Sequence, residues 1–162
     1  MVLAFLDVDG TLLPYAGARL PSTPEGWDAW QDPSNPQLAR IDRGHGPRLL
    51  ALPCALMWAT AWRDDADRVI APLLGLPKLP VAELPDVPDV FEPGVLNWKT
   101  RALVRVAAGR PFVWIDDSIT DLDRAWVARH HRAGALLHRV DAMTGLVEGD
   151  FAVVGDWLRA LG

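Results

Sequence analysis

Short runs of apolar residues that end in acidic or hydroxyl side chains dominate this sequence. Strands buried on both faces of a parallel sheet have this nearly continuous apolar character, whereas half-exposed strands alternate between apolar and polar residues. We therefore predict buried parallel strands with polar chemistry at their carboxyl ends. The runs and their polar residues are Val2–Val8 with Asp7 and Asp9, Cys54–Ala59 with Thr60, and Pro111–Ile115 with Asp116 and Asp117.

Segments with helical spacing of apolar residues lie between and after these runs. In residues 64–74, for example, Ala66, Val69 and Ile70 recur at the spacing of one helix face. Strands that alternate with helices predict an α/β fold of three layers, with a doubly wound, mostly parallel, five-stranded sheet. One domain over residues 1–162 is sufficient. The other predicted helices are 98–108, 120–131 and 148–161, and the other predicted strands are 79–84 and 135–138.

Composition and net charge limit the kinds of partner that the protein is expected to bind. Half of the 162 residues are apolar and 23% are charged, as in an ordinary globular protein. The net charge of −5 disfavours a nucleic-acid surface, which needs clustered Lys and Arg. The single cysteine, Cys54, cannot form a disulfide or a thiolate metal site within one chain. Because no apolar stretch approaches the roughly 20 residues that span a bilayer and Asp7 interrupts the N-terminal run, we expect no membrane segment, no signal peptide and a cytoplasmic location.

Residues 14–36 differ from the rest of the chain because they contain five prolines and two tryptophans. Proline fixes φ and removes a backbone donor, so this composition predicts an ordered loop or a small hairpin. Neither this segment nor residues 60–99 can bury the core of a separate cap domain. We therefore predict a flap beside an open site, without a cap. The tryptophans expected near this entrance or rim are Trp27, Trp30, Trp62 and Trp98.

The polar ends of the predicted strands converge on one edge of the sheet. In open α/β sheets the ligand site lies in the crevice outside the carboxyl ends of the strands. Carboxylate oxygens with room for water are the ligands that Mg²⁺ prefers. Asp7 and Asp9 are two residues apart on a strand, so their side chains would lie on one face and could share one substrate. The residues predicted at this edge are Asp7, Asp9, Thr11, Thr60, Lys99, Asp116 and Asp117.

These residues, in this order, resemble the four motifs of the haloacid dehalogenase superfamily. The matching positions are Asp7-Val-Asp-Gly-Thr11, Thr60 after an apolar strand, Lys99, and Asp116-Asp117. The likeness extends from residue 2 to about residue 123. It implies the Rossmann-like fold of that superfamily and a Mg²⁺-dependent phosphatase reaction. With no room for a cap, the chain would be a capless member.

The resemblance also implies a role for each matched residue. Asp7 would be the nucleophile that forms an aspartyl-phosphate, and Asp9 the general acid for the leaving group and then the base for water. Thr60 would bind phosphoryl oxygens, and Lys99 would neutralise charge on them and on Asp7. The implied Mg²⁺ ligands are Asp7, Asp9 through its backbone carbonyl, and Asp116, with support from Asp117 and Asp121.

Other functions stay open at the level of sequence. A phosphorylated receiver module also uses acids, a threonine and a lysine, but its lysine comes last, whereas Lys99 precedes Asp116 here. A dehalogenase would lack an acid at Asp9. Among phosphatases, an open site would admit a bulky or macromolecular phosphorylated substrate, such as a nucleic-acid end or a phosphoprotein. The acidic net charge does not favour nucleic acid.

Overall fold

Four parallel strands form the central sheet of the computed structural model, which describes residues 1–162. They are β1 (Leu3–Leu6), β2 (Ala55–Trp58), β3 (Phe112–Asp116) and β4 (Ala135–Arg139). Their order in the sheet is β2-β1-β3-β4, so β1 and β3 are the inner strands. Leu3 of β1 is in register with Ala55 of β2 on one side and with Phe112 of β3 on the other. The predicted α/β fold with a parallel sheet is confirmed.

Helices connect the strands and cover both faces of the sheet. The predictions for residues 98–108, 120–131 and 148–161 agree with the observed helices to within two residues. None of the helices is both long enough and apolar enough to cross a membrane. A π-helical turn, Ala66–Ile70, occupies the first half of the predicted helix 64–74. The helices are α1 (Pro24–Trp30), α2 (His45–Leu50), α3 (Ala71–Leu74), α4 (Thr100–Ala107), α5 (Asp121–His130) and α6 (Glu148–Leu161).

Each face of the sheet buries its own apolar cluster. Leu6 and Ile115 belong to the cluster that includes α2, α3 and α6, and Phe5 and Trp114 belong to the cluster that includes α4 and α5. Successive residues of a strand point to opposite faces, so both sets of side chains must be apolar when both faces are covered. Burying one large apolar side chain contributes about 1.5–3 kcal/mol to folding. This packing explains why the strands are apolar throughout.

The fifth predicted strand, residues 79–84, is only a single bridge beside β2. The Trp58 N–H donates to the Pro80 carbonyl (2.9 Å), and the Ala82 N–H donates to the Trp58 carbonyl (2.8 Å). A longer ladder would need further N–H donors, but Pro80 and Pro85 have none. The sheet therefore has four strands rather than the five that the sequence predicted.

The predicted flap, residues 14–36, contains a helix rather than only loop or hairpin. Helix α1 starts with Pro24 in its first turn, where a missing N–H costs nothing, and the Thr23 hydroxyl accepts from the Gly26 N–H (3.0 Å). A 3₁₀ helix, Pro36–Arg40, follows. Trp30 at the end of α1 is buried in the same cluster as Leu6. The expectation of an ordered loop or a small hairpin was therefore wrong for α1, which packs against the main core.

Helices α2 and α3 are in direct backbone contact at one glycine. A Cβ added to Gly46 of α2 would overlap the carbonyl oxygen of Leu74, the last residue of α3. Because that neighbour is backbone, it can yield only if the two helices move apart. Gly46 thus sets how closely α2 approaches α3 beneath the sheet.

We predict that Gly46→Ala lowers the free energy of unfolding by about 1–3 kcal/mol, the usual cost of overpacking. Gly149→Ala in α6 is the matched control, because a Cβ there meets nothing within 4 Å. Its free energy of unfolding should be unchanged or raised by up to about 1 kcal/mol, since alanine favours helix. Urea unfolding of the two variants measures both values. Equal stabilities would contradict the prediction.

Candidate active site

The strand order places the ends of β1 and β3 side by side at the centre of the sheet. From β1 the chain goes to β2 on one side, and from β3 it goes to β4 on the other, so the connections diverge between β1 and β3. Such a switch point leaves a crevice outside the carboxyl ends of the strands. Asp7 follows β1, Asp116 ends β3, and the Asp7 N–H donates to the Ile115 carbonyl (3.1 Å). The two aspartates therefore meet in this crevice.

Lys99 joins these two aspartates from the start of α4. Its ammonium Nζ donates to Asp7 Oδ1 (2.9 Å) and to Asp116 Oδ2 (2.6 Å). All three residues are buried, with exposed fractions of 4% for Lys99, 6% for Asp7 and 0% for Asp116. The structure thus brings three of the predicted site residues into one buried ion-pair network.

Burial and charge oppose each other in this network. Burial raises the pKa of Asp7 well above its usual range and the charge of Asp116 adds to the rise, while Lys99 opposes it. Burial also acts to raise the pKa of Asp116, but the charge of Lys99 and the hydrogen bonds from Lys99 and Ser118 together outweigh it, and the pKa is lowered. Burial alone would lower the pKa of Lys99, yet Asp116 and Asp7 raise it. Lys99 is therefore held as an ammonium against ionised Asp116, and Asp7 needs more positive charge nearby to ionise.

Asp116 has little capacity for further ligands. Its Oδ1 accepts from the Ser118 N–H and hydroxyl (both 2.9 Å), and its Oδ2 accepts from Lys99 and from the Trp114 indole (3.1 Å). An ionised carboxylate has about four lone-pair sites, so these four donors occupy all of them. The Asp117 carboxyl contacts the neighbouring carboxyls of Asp116 and Asp7. Of the adjacent pair, Asp116 therefore holds Lys99, and Asp117 keeps the greater capacity for a cation.

Three carboxylates in the crevice have the spacing of a metal site. One oxygen each from Asp7, Asp116 and Asp117 lies within 4.8 Å of the others. Two oxygens on opposite sides of Mg²⁺, each bound at about 2.1 Å, would be about 4.2 Å apart, so small adjustments suffice. Gly10 makes room for this group: its φ is +72°, and a Cβ would overlap the Asp117 carboxylate. The hard oxygen donors fit Mg²⁺, which would be bound by Asp7 and Asp117.

Asp9 lies at the edge of this group and is bound by two tryptophans. Trp30 Nε1 donates to Asp9 Oδ1 (2.8 Å), and Trp62 Nε1 donates to Asp9 Oδ2 (3.0 Å). Burial raises the pKa of Asp9, and the two indole hydrogen bonds act in the opposite direction. The sequence placed both tryptophans near the rim but gave no sign of these contacts, because Trp30 lies 21 residues away and Trp62 lies 53 residues away.

Thr60 lies at the carboxyl end of β2, next to β1. It is buried, and its hydroxyl oxygen accepts from the Trp62 N–H (3.2 Å). The neighbouring Ala59 N–H donates to the Leu6 carbonyl (2.9 Å), which fixes this end of β2 to the end of β1. Thr60 therefore stands on the same edge of the sheet as Asp7, as the sequence predicted.

Asp121 does not join the cluster. Its side chain is 99% exposed and forms an ion pair with Arg124 on the same helix. The buried acid of α5 is Asp123, which accepts from the Asn97 N–H (2.8 Å) and the Thr100 hydroxyl (2.7 Å) on one oxygen. These contacts fix the segment that carries Lys99. Asp123 was not among the predicted site residues, although Thr120 and Asp123, three residues apart, have the spacing of a helix capping box.

A groove of about 620 Å³ borders the site on the side of residues 88–98. Ser118, which donates to Asp116, is among its lining residues. Val90 and Phe91 are about two-thirds exposed along it, and Glu92 and Asp121 contribute negative charge. Ser118 is thus the link between the acidic cluster and this apolar and acidic groove, whose lining includes none of the carboxylates of the cluster.

The chain matches no protein-family model, no curated protein and no solved structure. The arrangement of its own side chains is therefore the basis for a function. The site combines a buried lysine, three carboxylates with the spacing of a metal site and a fourth acid held apart from them. Such groups can stabilise negative charge and transfer protons.

We predict that Asp117→Asn stabilises the metal-free protein at neutral pH. Burial and the charge of Asp116 raise the pKa of Asp117 to about 7, compared with about 3.9 in an unfolded chain. Between these values only the unfolded chain has lost the proton, so the free energy of unfolding falls as pH rises from about 4 to about 7. The amide cannot lose a proton and removes this dependence.

Thermal unfolding in EDTA between pH 4 and pH 8 tests the prediction. Asp117→Asn should have a higher Tm than the unsubstituted protein at pH 8, and the difference should shrink towards pH 4. Asp121→Asn makes the same change in net charge at an exposed site and should show no such trend. A lower Tm for Asp117→Asn at pH 8 would contradict the prediction, because it would show that the surroundings of Asp117 do not disfavour its ionised form.

Proposed function

We propose that this protein is a Mg²⁺-dependent phosphomonoester hydrolase of the haloacid dehalogenase type, with Asp7 as the nucleophile. The observation that carries the proposal is the position of the Asp7 carboxylate, which lies 2.9 Å from Lys99 and within reach of the same cation as Asp117. A carboxylate repels a phosphate dianion, so nucleophilic attack requires positive charge between them. Lys99 supplies one such charge. When bound, Mg²⁺ would supply the other and would stabilise the charge on the phosphoryl oxygens in the transition state.

The proposed reaction has two steps. First, an oxygen of Asp7 forms a bond to phosphorus while the bond from phosphorus to the leaving oxygen breaks, and Asp9 gives its proton to that oxygen. Second, water attacks the aspartyl-phosphate, and Asp9 takes the proton from the water. Asp7 is regenerated, and the products are an alcohol and inorganic phosphate. Burial raises the pKa of Asp9, which supports its protonated form in the first step.

Thr60 and Lys99 support the transferred phosphoryl group in this proposal. Thr60 has a buried hydroxyl at the end of β2, and its proton is free to donate because the oxygen accepts from the Trp62 N–H. Lys99 has one donor left after its bonds to Asp7 and Asp116, since an ammonium has three. Both groups can therefore donate to phosphoryl oxygens without breaking the contacts that hold them.

The groove favours a bulky substrate that is not nucleic acid. Exposed Val90 and Phe91 offer apolar contact beside the site, whereas Glu92 and Asp121 would repel a polyanion. A phosphoprotein or another large phosphate monoester fits this surface better than a nucleic-acid end. We also propose a cytoplasmic setting and a site that works without a cap.

We predict that Asp7→Asn abolishes hydrolysis of a generic aryl phosphate in Mg²⁺ while leaving the fold intact. The amide cannot form the aspartyl-phosphate, so the rate should fall by about 10⁴-fold or more. Turnover of phosphate esters with and without EDTA, together with circular dichroism of the variant, measures both effects. If Asp7→Asn hydrolyses the aryl phosphate at the rate of the unsubstituted protein, the proposed mechanism is wrong.

We predict that Asp9→Asn slows both steps by about 10²–10⁴-fold, the usual contribution of acid–base catalysis. A receiver module would behave differently, because it would keep a long-lived aspartyl-phosphate and show no multiple turnover. Intact mass measurement over hours after addition of a small phosphodonor separates the two functions. A persistent adduct of one phosphoryl group on the unsubstituted protein favours the receiver, whereas rapid loss of the adduct with release of phosphate favours the hydrolase.

A further inference from the structure

Both oxygens of the Asp9 carboxylate are held by indole N–H groups. Trp30 binds Oδ1 at 2.8 Å and Trp62 binds Oδ2 at 3.0 Å, and these two tryptophans are called here the indole pair. Two donors on two oxygens fix the plane of the carboxylate as well as its position. About two of its four lone-pair sites stay free for a substrate or water.

Tryptophan is well suited to hold an acid in this way. Its indole has one N–H donor and no acceptor, so it can bind the carboxylate but cannot take its proton. Its large apolar ring also keeps water away from the bond. Trp30 is 5% exposed and Trp62 is 1% exposed, so both hydrogen bonds are shielded from solvent. Serine or threonine in the same place could itself compete for the proton.

Trp62 connects Asp9 to the proposed phosphate-binding residue. Its indole donates to Asp9, while its backbone N–H donates to the Thr60 hydroxyl at 3.2 Å. One residue therefore sets the distance between the acid and the group proposed to bind the phosphoryl oxygens. The leaving oxygen lies on the phosphorus atom that Thr60 would hold, so this distance matters for proton transfer.

The hydrogen bond from Trp30 to Asp9 depends on the position of helix α1. It is the last residue of α1, and its carbonyl accepts from the Asn35 side chain (2.8 Å). Trp27 of the same helix packs its ring against the Trp30 ring, with centroids 5.8 Å apart at 66°. Trp30 can reach Asp9 only when this segment is seated on the core, so the segment completes the site.

We propose that Trp30 and Trp62 are positioning residues that orient Asp9 for proton transfer to the leaving group, and that Trp30 makes this transfer depend on the seating of α1. The inference rests on the proposed phosphatase function. It goes beyond that function because it assigns a role in the reaction to the flap segment, which the sequence predicted only to border the entrance of the site. Neither tryptophan would touch phosphorus.

The test is the dependence of kcat/KM on the leaving group in Trp30→Phe and Trp62→Phe. The aryloxide of an activated aryl phosphate leaves without a proton, whereas the alkoxide of an alkyl phosphate needs one from Asp9. The value of kcat/KM reports the steps up to formation of the aspartyl-phosphate. We expect each variant to lose about 10-fold or more on an alkyl phosphate, as part of the 10²–10⁴-fold acid contribution, and less than about 3-fold on an activated aryl phosphate.

Trp58→Phe is the matched control. Its indole is also buried and donates to a carboxylate, Asp67 Oδ1, at 2.8 Å, but Asp67 is not in the cluster. This change removes the same N–H and costs comparable stability, so it should affect both substrate classes alike. In an Asp9→Asn background, Trp30→Phe should cause no further change in leaving-group dependence. Equal loss on both classes in Trp30→Phe and Trp62→Phe would overturn the inference.

A second measurement tests the contacts without turnover. The ¹H–¹⁵N spectrum of the protein contains eight indole signals, one for each tryptophan, and the Phe variants assign those of Trp30 and Trp62. Asp9→Ala should shift both signals and leave that of Trp58 in place. Unshifted signals would overturn the inference. If the protein has no Asp7-dependent turnover, the proposed function fails. If turnover is present but leaving-group dependence is unchanged in the variants, only this inference fails.

Discussion

The ion pairs of Lys99 are the interaction on which the site depends. Its ammonium is buried between Asp7 and Asp116, at distances of 2.9 and 2.6 Å. Moving charges from water into a protein interior costs several kcal/mol per ion, and attraction offsets this cost only with close geometry and further hydrogen bonds. Loss of Lys99 would leave the buried Asp116 carboxylate without its compensating charge. A buried ion-pair network of this kind contributes little to stability, which favours the proposal that these charges serve a reaction.

Hydrogen bonds from the surrounding residues fix the positions of Asp116 and Lys99 in this network. Asp116 receives four donors, so its position is fixed from the strand, the following turn and Lys99 together. Asp123 binds both Asn97 and Thr100, which flank the lysine. Lys99 is therefore held from both sides of its own chain segment. A site of this kind is preorganised, because its charges need not rearrange when an anion arrives.

The four acids near the crevice have different surroundings and so different capacities. Asp116 is saturated with donors and ionised by Lys99, whereas Asp7 and Asp117 are penalised by burial and gain from an added cation. Asp9 stands apart, held by neutral donors. Because their environments differ, chemically identical side chains can take different roles. Asp116 can hold Lys99 in place, Asp7 and Asp117 can bind a cation, and Asp9 can donate a proton. The proposed reaction uses each of these roles.

Local signals in the chain were sufficient to predict the inner strands, the three long helices and the edge of the sheet where polar residues gather. Apolar runs and helical periodicity are local signals, and parallel strands align their carboxyl ends, so Asp7, Asp9, Thr60, Lys99 and Asp116 could be placed together. The prediction of a fifth strand was wrong because the apolar pattern of residues 79–84 does not reveal that Pro80 and Pro85 lack N–H donors. The helix in residues 24–30 was missed because the prolines around it indicate a loop. The side-chain contacts within the site, by contrast, follow from the packing of distant segments: Lys99 pairs with Asp7 and Asp116, and two indoles hold Asp9. Those contacts join residues up to 92 positions apart, and side-chain geometry across such separations leaves no periodic trace in the chain.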